Sequence, residues 1–256
     1  MAFKKDSVVG TMVFIISLSL VCSFMITGTA EILKERKLVK KRDEVQQFVL
    51  KAAGVESNSG DFRELFANRV QAKLVDLESG QFIEQENILD FDGRMAAINP
   101  ETSRKPKKDT AKIKSRADQV RIFEVFDDQG QLSSIVMPIY GKGLWSMMYG
   151  YLAVEPDLNT IKNIVFYEHG ETPGIADFVT DPQWNALWQG KKLFDEKGKI
   201  AIKVVKGGAK AGDVHGVDGV SGATRTGVGI QKAVEFWFGV EGYQNFLHTF
   251  AKTEVK

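Results

Sequence analysis

Cysteine is nearly absent. Cys22 is the only one in 256 residues, which excludes an internal disulfide framework and any structural zinc site built on several thiolates. His169, His215 and His248 are the only histidines, too scattered along the chain to suggest a metal cluster. Net charge is also missing, because 34 Lys and Arg against 33 Asp and Glu leave +1. Bulk charge therefore excludes a binder of nucleic-acid polyanions. With only six prolines, 43% hydrophobic and 26% charged residues, the chain is neither disordered nor fibrous. Its length suits one large domain or two small ones. No internal repeat is visible.

Long apolar runs are absent too, with one exception. From Ser7 to Ala30, between Asp6 and Glu31, no residue is charged and Val, Ile, Leu, Phe and Met dominate. About 20 apolar residues in a helix cover the hydrocarbon core, so this run spans a bilayer with room for tilt. A cleaved signal peptide is the competing reading, from Lys4 and Lys5 before the run and the small residues Gly28-Thr29-Ala30 within it. The run is longer than a typical signal core, which favours a single-pass anchor carrying a soluble body. Lys34, Arg36, Lys37, Lys40, Lys41 and Arg42 after the span outnumber Lys4 and Lys5 before it. Taken alone, that count would point the body inward, but large domains translocate largely regardless of it. Glu31 to Ala53 reads as a helix continuing from the span, with Leu38, Val45, Phe48 and Val49 as a loose apolar stripe.

Glu56-Ser57-Asn58-Ser59-Gly60 marks a turn, and Asp61 is placed to cap a short helix through Asn68. Val70–Asp76 alternates as a strand, and Ser79-Gly80 turns the chain before Gln81 to Ile83. Pro100 to Arg116 is polar and reads as a solvated surface loop. Strands are expected over Val120–Phe126, Leu132–Tyr140, Met147–Val154, Ile161–Glu168 and Ile200–Val205. Asp181-Pro182 opens a helix that stops at Gly190, and a long helix begins near Thr224 and carries Val228, Val234, Phe236, Trp237 and Phe238.

The most informative segment is Asp218-Gly219-Val220-Ser221-Gly222-Ala223-Thr224-Arg225-Thr226-Gly227. Glycines and an alanine leave its backbone open to close approach, and three hydroxyls crowd a helix start whose free N–H groups attract phosphate. The bland reading is a capped helix, with Ser221 or Thr224 as the cap and no ligand. Two sharper readings fail on residues. A nucleophile elbow needs glycine where Ala223 stands, and Gly227-Val228-Gly229 lacks the third glycine of a dinucleotide fingerprint.

Asp218-x-x-Ser221-Gly222-Ala223-Thr224 resembles the D-x-x-[ST]-G-A-T motif of the FMN-binding domain shared by sodium-translocating NADH:quinone oxidoreductases and the Rnf electron-transport complexes. Gly141 to Ser146 is similar to that family's G-x-G-L-W-S segment, and His169-x-Glu171-Thr172-Pro173-Gly174 to its H-x-E-T-P-G segment, in the expected order. With the single span and the overall length, the resemblance covers essentially the whole chain. It implies an α+β protein with one N-terminal transmembrane helix (1–30), a juxtamembrane helix and accessory region (31–118) and a mixed strand and helix FMN-binding domain (119–256). By the same resemblance Thr224 carries FMN through a phosphoester, installed by a separate flavin transferase that uses FAD and magnesium. Val220, Ser221, Gly222 and Ala223 would surround the phosphate. Leu144, Trp145, Glu171, Thr172, Gly174 and Ile175 would line the ring, Lys206 would add a cationic contact, and Asp218 would orient the turn or serve the transferase.

The implied role is that of an electron-relay subunit in the bacterial inner membrane, with a periplasmic domain and other membrane subunits of the complex as partners. That complex couples NADH oxidation and ubiquinone reduction to sodium export. This chain shows no nicotinamide or quinone site of its own, and no charge inside the span to suggest a sodium path. Ile175-Ala176 stands where the family commonly has Leu-Gly, which bears on the packing of the ring. The G-type member of an Rnf electron-transport complex is the nearest alternative within the family, and the extra segment between Gly54 and Arg116 argues against it. A membrane-tethered binding domain without cofactor is the alternative from a different class.

Overall fold

The computed structural model describes residues 8–56 and 61–254. Lys4, Lys5 and Ser7, and the turn read at 57–60, lie outside the described residues. The chain divides into two compact units at Val45/Gln46. The first is the body of a single helix, α1 (Val8–Ala52), whose apolar part is exposed and is long and apolar enough to cross a membrane. Its charged continuation carries exposed Glu31–Lys34 and Lys40–Glu44 pairs at helical spacing, of the kind that add only tenths of a kcal/mol each.

The second unit begins inside that helix. Val49, Leu50 and Ala52 are fully buried, and Phe48 packs on Tyr167 with ring centroids 5.3 Å apart. A short helix, α2 (Phe62–Arg69), follows; Asp61 precedes it but makes no side-chain cap bond, contrary to the sequence reading. The centre is an antiparallel sheet of six strands in the order β2 (Phe82–Ile83), β1 (Val70–Asp76), β5 (Gln119–Phe126), β6 (Leu132–Lys142), β7 (Met147–Val154) and β8 (Ile161–Glu168). Alternation sorts its side chains. Ile122, Ile135, Met137, Leu152 and Ile164 face one core, while Phe123 points to the other side, edge-on to Phe66 of α2 and to Tyr151.

The first face is covered by α5 (Thr224–Trp237) and α6 (Gln244–Glu254), through Ile230, Val234 and Trp237 and through Phe246 and Phe250. α5 lies unusually close to β6. A Cβ on Gly141 would sit 2.7 Å from Ala233 Cβ, and one on Gly229 would sit 2.6 Å from the Lys142 carbonyl. Trp237 Nε1 donates to Tyr140 O at 2.8 Å along the same seam.

The smaller elements hold the rim. Asp92 caps α3 (Gly93–Ile98) by accepting from the Arg94 and Met95 N–H groups. Arg94 then lies over the Tyr149 ring, 3.6 Å from its centroid, and grips both carboxylate oxygens of Glu168. The polar stretch 100–116 is not simply solvated. It forms a hairpin of β3 (Ser103–Arg104) and β4 (Arg116–Ala117), buries Arg116, and pairs Arg104 with Asp118 and Glu78. The strand read from Ile200 is confined to β9 (Lys203–Val205), which runs parallel to β10 (Gly216–Asp218). α4 (Pro182–Ala186) is capped by Asp181.

Candidate functional site

The parallel β9–β10 pair sets the register of the glycine-rich segment. Val205 and Asp218 are partners, and Gly219 N donates to Val205 O at 2.9 Å, so the turn Lys206-Gly207-Gly208 leaves beside Asp218-Gly219. The Asp218 carboxylate accepts from Ala209 N at 2.7 Å, and its carbonyl from Trp184 Nε1 at 2.8 Å. Asp218 therefore fixes the start of the loop to two neighbours. Lys206 is exposed.

Beyond Val220 the chain passes through Gly222 at φ +84°, a left-handed conformation that favours glycine. α5 then starts with Ala223 in the cap position and no side-chain cap bond. The reading in which Ser221 or Thr224 caps the helix does not hold. The N–H groups of Thr224, Arg225 and Thr226 find no acceptor among the described residues. They form an open donor end of the kind that binds anions. The three hydroxyls are not equivalent. Ser221 and Thr224 are exposed, whereas Thr226 is 1% exposed and donates to Glu171 Oε2 at 2.6 Å.

That carboxylate organises the second segment. Leu144 N donates to Glu171 Oε2 at 3.0 Å, and Trp145 N and Ser146 N donate to Oε1 at 3.0 and 3.2 Å. Gly143 makes room for it, since a Cβ there would lie 2.6 Å from Oε1. Burial pushes the carboxyl upward in pKa, but the bonds from Thr226 and the three backbone groups outweigh it and hold Glu171 below the ordinary glutamate value of 4.5. Ser146 Oγ accepts from Gly170 N at 2.6 Å, and His169 Nδ1 from Glu171 N at 3.3 Å. These ties join the turn after β6 to the turn after β8.

The apolar side chains on these turns face solvent. Trp145 is 66% exposed, Ile175 is exposed and Leu144 stands at the margin of exposure. Trp145 is nevertheless oriented, because its Nε1 donates to Thr172 Oγ1 at 3.0 Å. Gly174 takes φ +76°, its N–H bonds Asp177 Oδ2 at 3.0 Å, and the chain turns so that Ile175 Cγ2 comes within 4.0 Å of a Cβ placed on Gly222. The turn 171–175 thus lies beside the glycine-rich loop. An open helix start, an exposed threonine and an exposed indole on adjoining turns suit a ligand that is anionic at one end and flat and apolar at the other. Sequence reasoning missed the inward direction of Glu171 and its bond to Thr226; the only signal was Gly143, whose missing side chain admits the carboxylate.

Fold and site define a protein with an FMN-binding domain behind one helix able to cross a membrane, and residues 143–239 match the model of the FMN-binding domain family. The chain belongs to the NqrC family, the C-type subunits of Na(+)-translocating NADH-quinone reductases. It is 40% identical to that subunit of Haemophilus ducreyi over 253 residues, covering 98% of this chain and 97% of the relative. It is 43% identical to that of Vibrio parahaemolyticus, covering 96% and 97%. Among solved structures, Shewanella oneidensis NqrC shares 63% identity at a TM-score of 0.82, over 84% of this chain and 99% of that one. The structure of the corresponding subunit from Parabacteroides distasonis shares 28% at 0.64, over 81% and 92%.

Proposed function

We propose that this chain is the electron-relay subunit of an inner-membrane complex that couples NADH oxidation and ubiquinone reduction to sodium export, and that it carries FMN as a phosphoester on Thr224. The observation that carries the reading is the state of the helix start. Thr224 is exposed at an uncapped end of α5, while the Thr226 hydroxyl is buried and already bonded.

The residues present fit the group. The N–H groups of the first turn of α5 are placed to donate to a phosphate, an anion favoured there by about 0.3–1 kcal/mol. Val220, Ser221, Gly222 and Ala223 supply a backbone with little side chain in the way. Leu144, Trp145, Thr172, Gly174 and Ile175 offer apolar surface and an oriented indole to a flat ring, Glu171 sets the backbone of that surface, and Lys206 brings a positive charge to the rim. When bound, FMN supplies one- and two-electron transfer. An ester on Thr224 holds the phosphate and leaves the ring unmodified, so the chain tunes potential only through packing, hydrogen bonds and local charge. Asp218 holds the loop in place and presents the segment to a flavin transferase. The domain is periplasmic, held by α1 among the other membrane subunits of the complex.

The test is acid precipitation of protein from cells that possess the transferase. The denatured polypeptide should keep flavin absorbance and fluorescence, and Thr224→Ala should give a folded, membrane-bound protein without either. A wild-type chain that releases all its flavin in acid refutes the covalent reading.

A further inference from the structure

We propose that Glu171 is a positioning residue that couples the flavin's attachment point to its ring pocket, acting through the backbone rather than by touching the ring. The inference rests on the reading of the site just given.

Three consecutive N–H groups, those of Leu144, Trp145 and Ser146, converge on one carboxylate. Such a run of backbone donors is a nest that ordinarily captures an external anion. Here the chain fills it with its own carboxylate, itself 4% exposed. The hairpin turn therefore has no donors left for a phosphate, and the anion falls to α5. The fourth donor is Thr226 Oγ1, in the helical turn that begins with Thr224. One carboxylate thus fixes both the turn that presents Trp145 and the turn that presents the esterified hydroxyl.

Neighbouring contacts stiffen this link. Thr172, next in the chain after Glu171, accepts from the Trp145 indole at 3.0 Å, so adjacent residues hold the backbone and the side chain of the same tryptophan. Gly229, one turn along α5 from Thr226, lets the helix rest on the Lys142 carbonyl and Gly143 Cα. Oε1 and Oε2 accept two bonds each, and no other side chain of that size supplies this. A glutamine oxygen can keep the Trp145 and Ser146 N–H groups. Its amide N–H then faces Leu144 N–H, and one buried backbone donor is left unpaired.

The test compares full-length wild type, Glu171→Gln and Thr226→Val, each purified with its flavin. In Glu171→Gln the flavin should stay on Thr224, amide hydrogen exchange across 144–146 should accelerate about ten- to a hundredfold, the factor that one unpaired buried N–H produces, and the midpoint potential should move. Thr226→Val removes only the helix arm, so exchange across 144–146 should remain close to wild type while the potential moves in the same direction by less. Wild-type exchange and wild-type potential in Glu171→Gln would overturn the proposal. Should that variant not fold, an unchanged potential in Thr226→Val overturns the coupling. A wild-type chain without acid-stable flavin would instead defeat the covalent reading, and the exchange comparison would still decide whether Glu171 clamps the turn.

Discussion

The close seam between α5 and β6 predicts opposite outcomes for two glycine-to-alanine changes in one helix. Alanine is better than glycine in a helix interior by about 0.8–1 kcal/mol, so both changes start with the same local gain. At Gly229 the new Cβ would stand 2.6 Å from Lys142 O and 3.0 Å from Gly143 Cα. Both are backbone atoms of a strand end and cannot rotate aside, and overpacking of this kind costs roughly 1–3 kcal/mol. The net for Gly229→Ala is a loss of up to about 2 kcal/mol, or up to about 4–8 °C in melting temperature for a unit of this size. At Gly227 the nearest atom is the Val204 Cγ1 methyl at 3.1 Å, which gives by a few tenths of an ångström. Gly227→Ala should melt at or slightly above wild type. Thermal unfolding in detergent, followed by far-ultraviolet circular dichroism, separates the two. A Gly229→Ala protein that melts with or above Gly227→Ala refutes the close-approach reasoning. If the reasoning holds, the same variant should also load less flavin, because α5 cannot lift off the hairpin without moving Thr224 from Trp145.

Trp145→Ala should keep covalent flavin while shifting its spectrum and potential by a modest amount, since an exposed aromatic contact is worth on the order of 1 kcal/mol; an unchanged potential speaks against a ring contact. The Glu171 carboxyl sits below its ordinary value of 4.5 in the folded chain, so its contribution to stability is complete above that value and is lost as pH falls through the lowered one. Melting temperature measured across that acid range should fall more steeply for wild type than for Glu171→Gln, and parallel curves would contradict the assignment. A phosphatase reporter fused after Lys256 should be active only on the periplasmic side, and cytoplasmic activity of the fusion would overturn the orientation.

Much of the fold was legible because local pattern and tertiary demand coincide. The strands at Val70–Asp76, Met147–Val154 and Ile161–Glu168 have the bounds read from alternation and turn residues, and α5 begins at Thr224 as its glycines suggest. α6 was not read. Yet Tyr243, Phe246, Leu247 and Phe250 repeat at helical spacing and are all buried, and Gly239 and Gly242 lie between the two helices. α3 escaped because its exposed Met95 and Ile98 make no buried stripe. β10 escaped because three residues paired in parallel carry no periodicity. The charge run around Arg104 looked solvated, since nothing local reveals that Glu78 and Asp118 would come to meet it. The inward turn of Glu171 was hidden for the same reason, as its donors come from the hairpin at 144–146 and from Thr226 on α5.

The covalent position is the most direct test of the account. Peptide mass spectrometry of the proteolysed wild-type chain, fragmented across Asp218 to Gly227, should place the added FMN mass on Thr224. Finding it on Ser221, or on Thr226 despite that hydroxyl's buried bond to Glu171, would contradict the reading of the helix start from which the whole site was built.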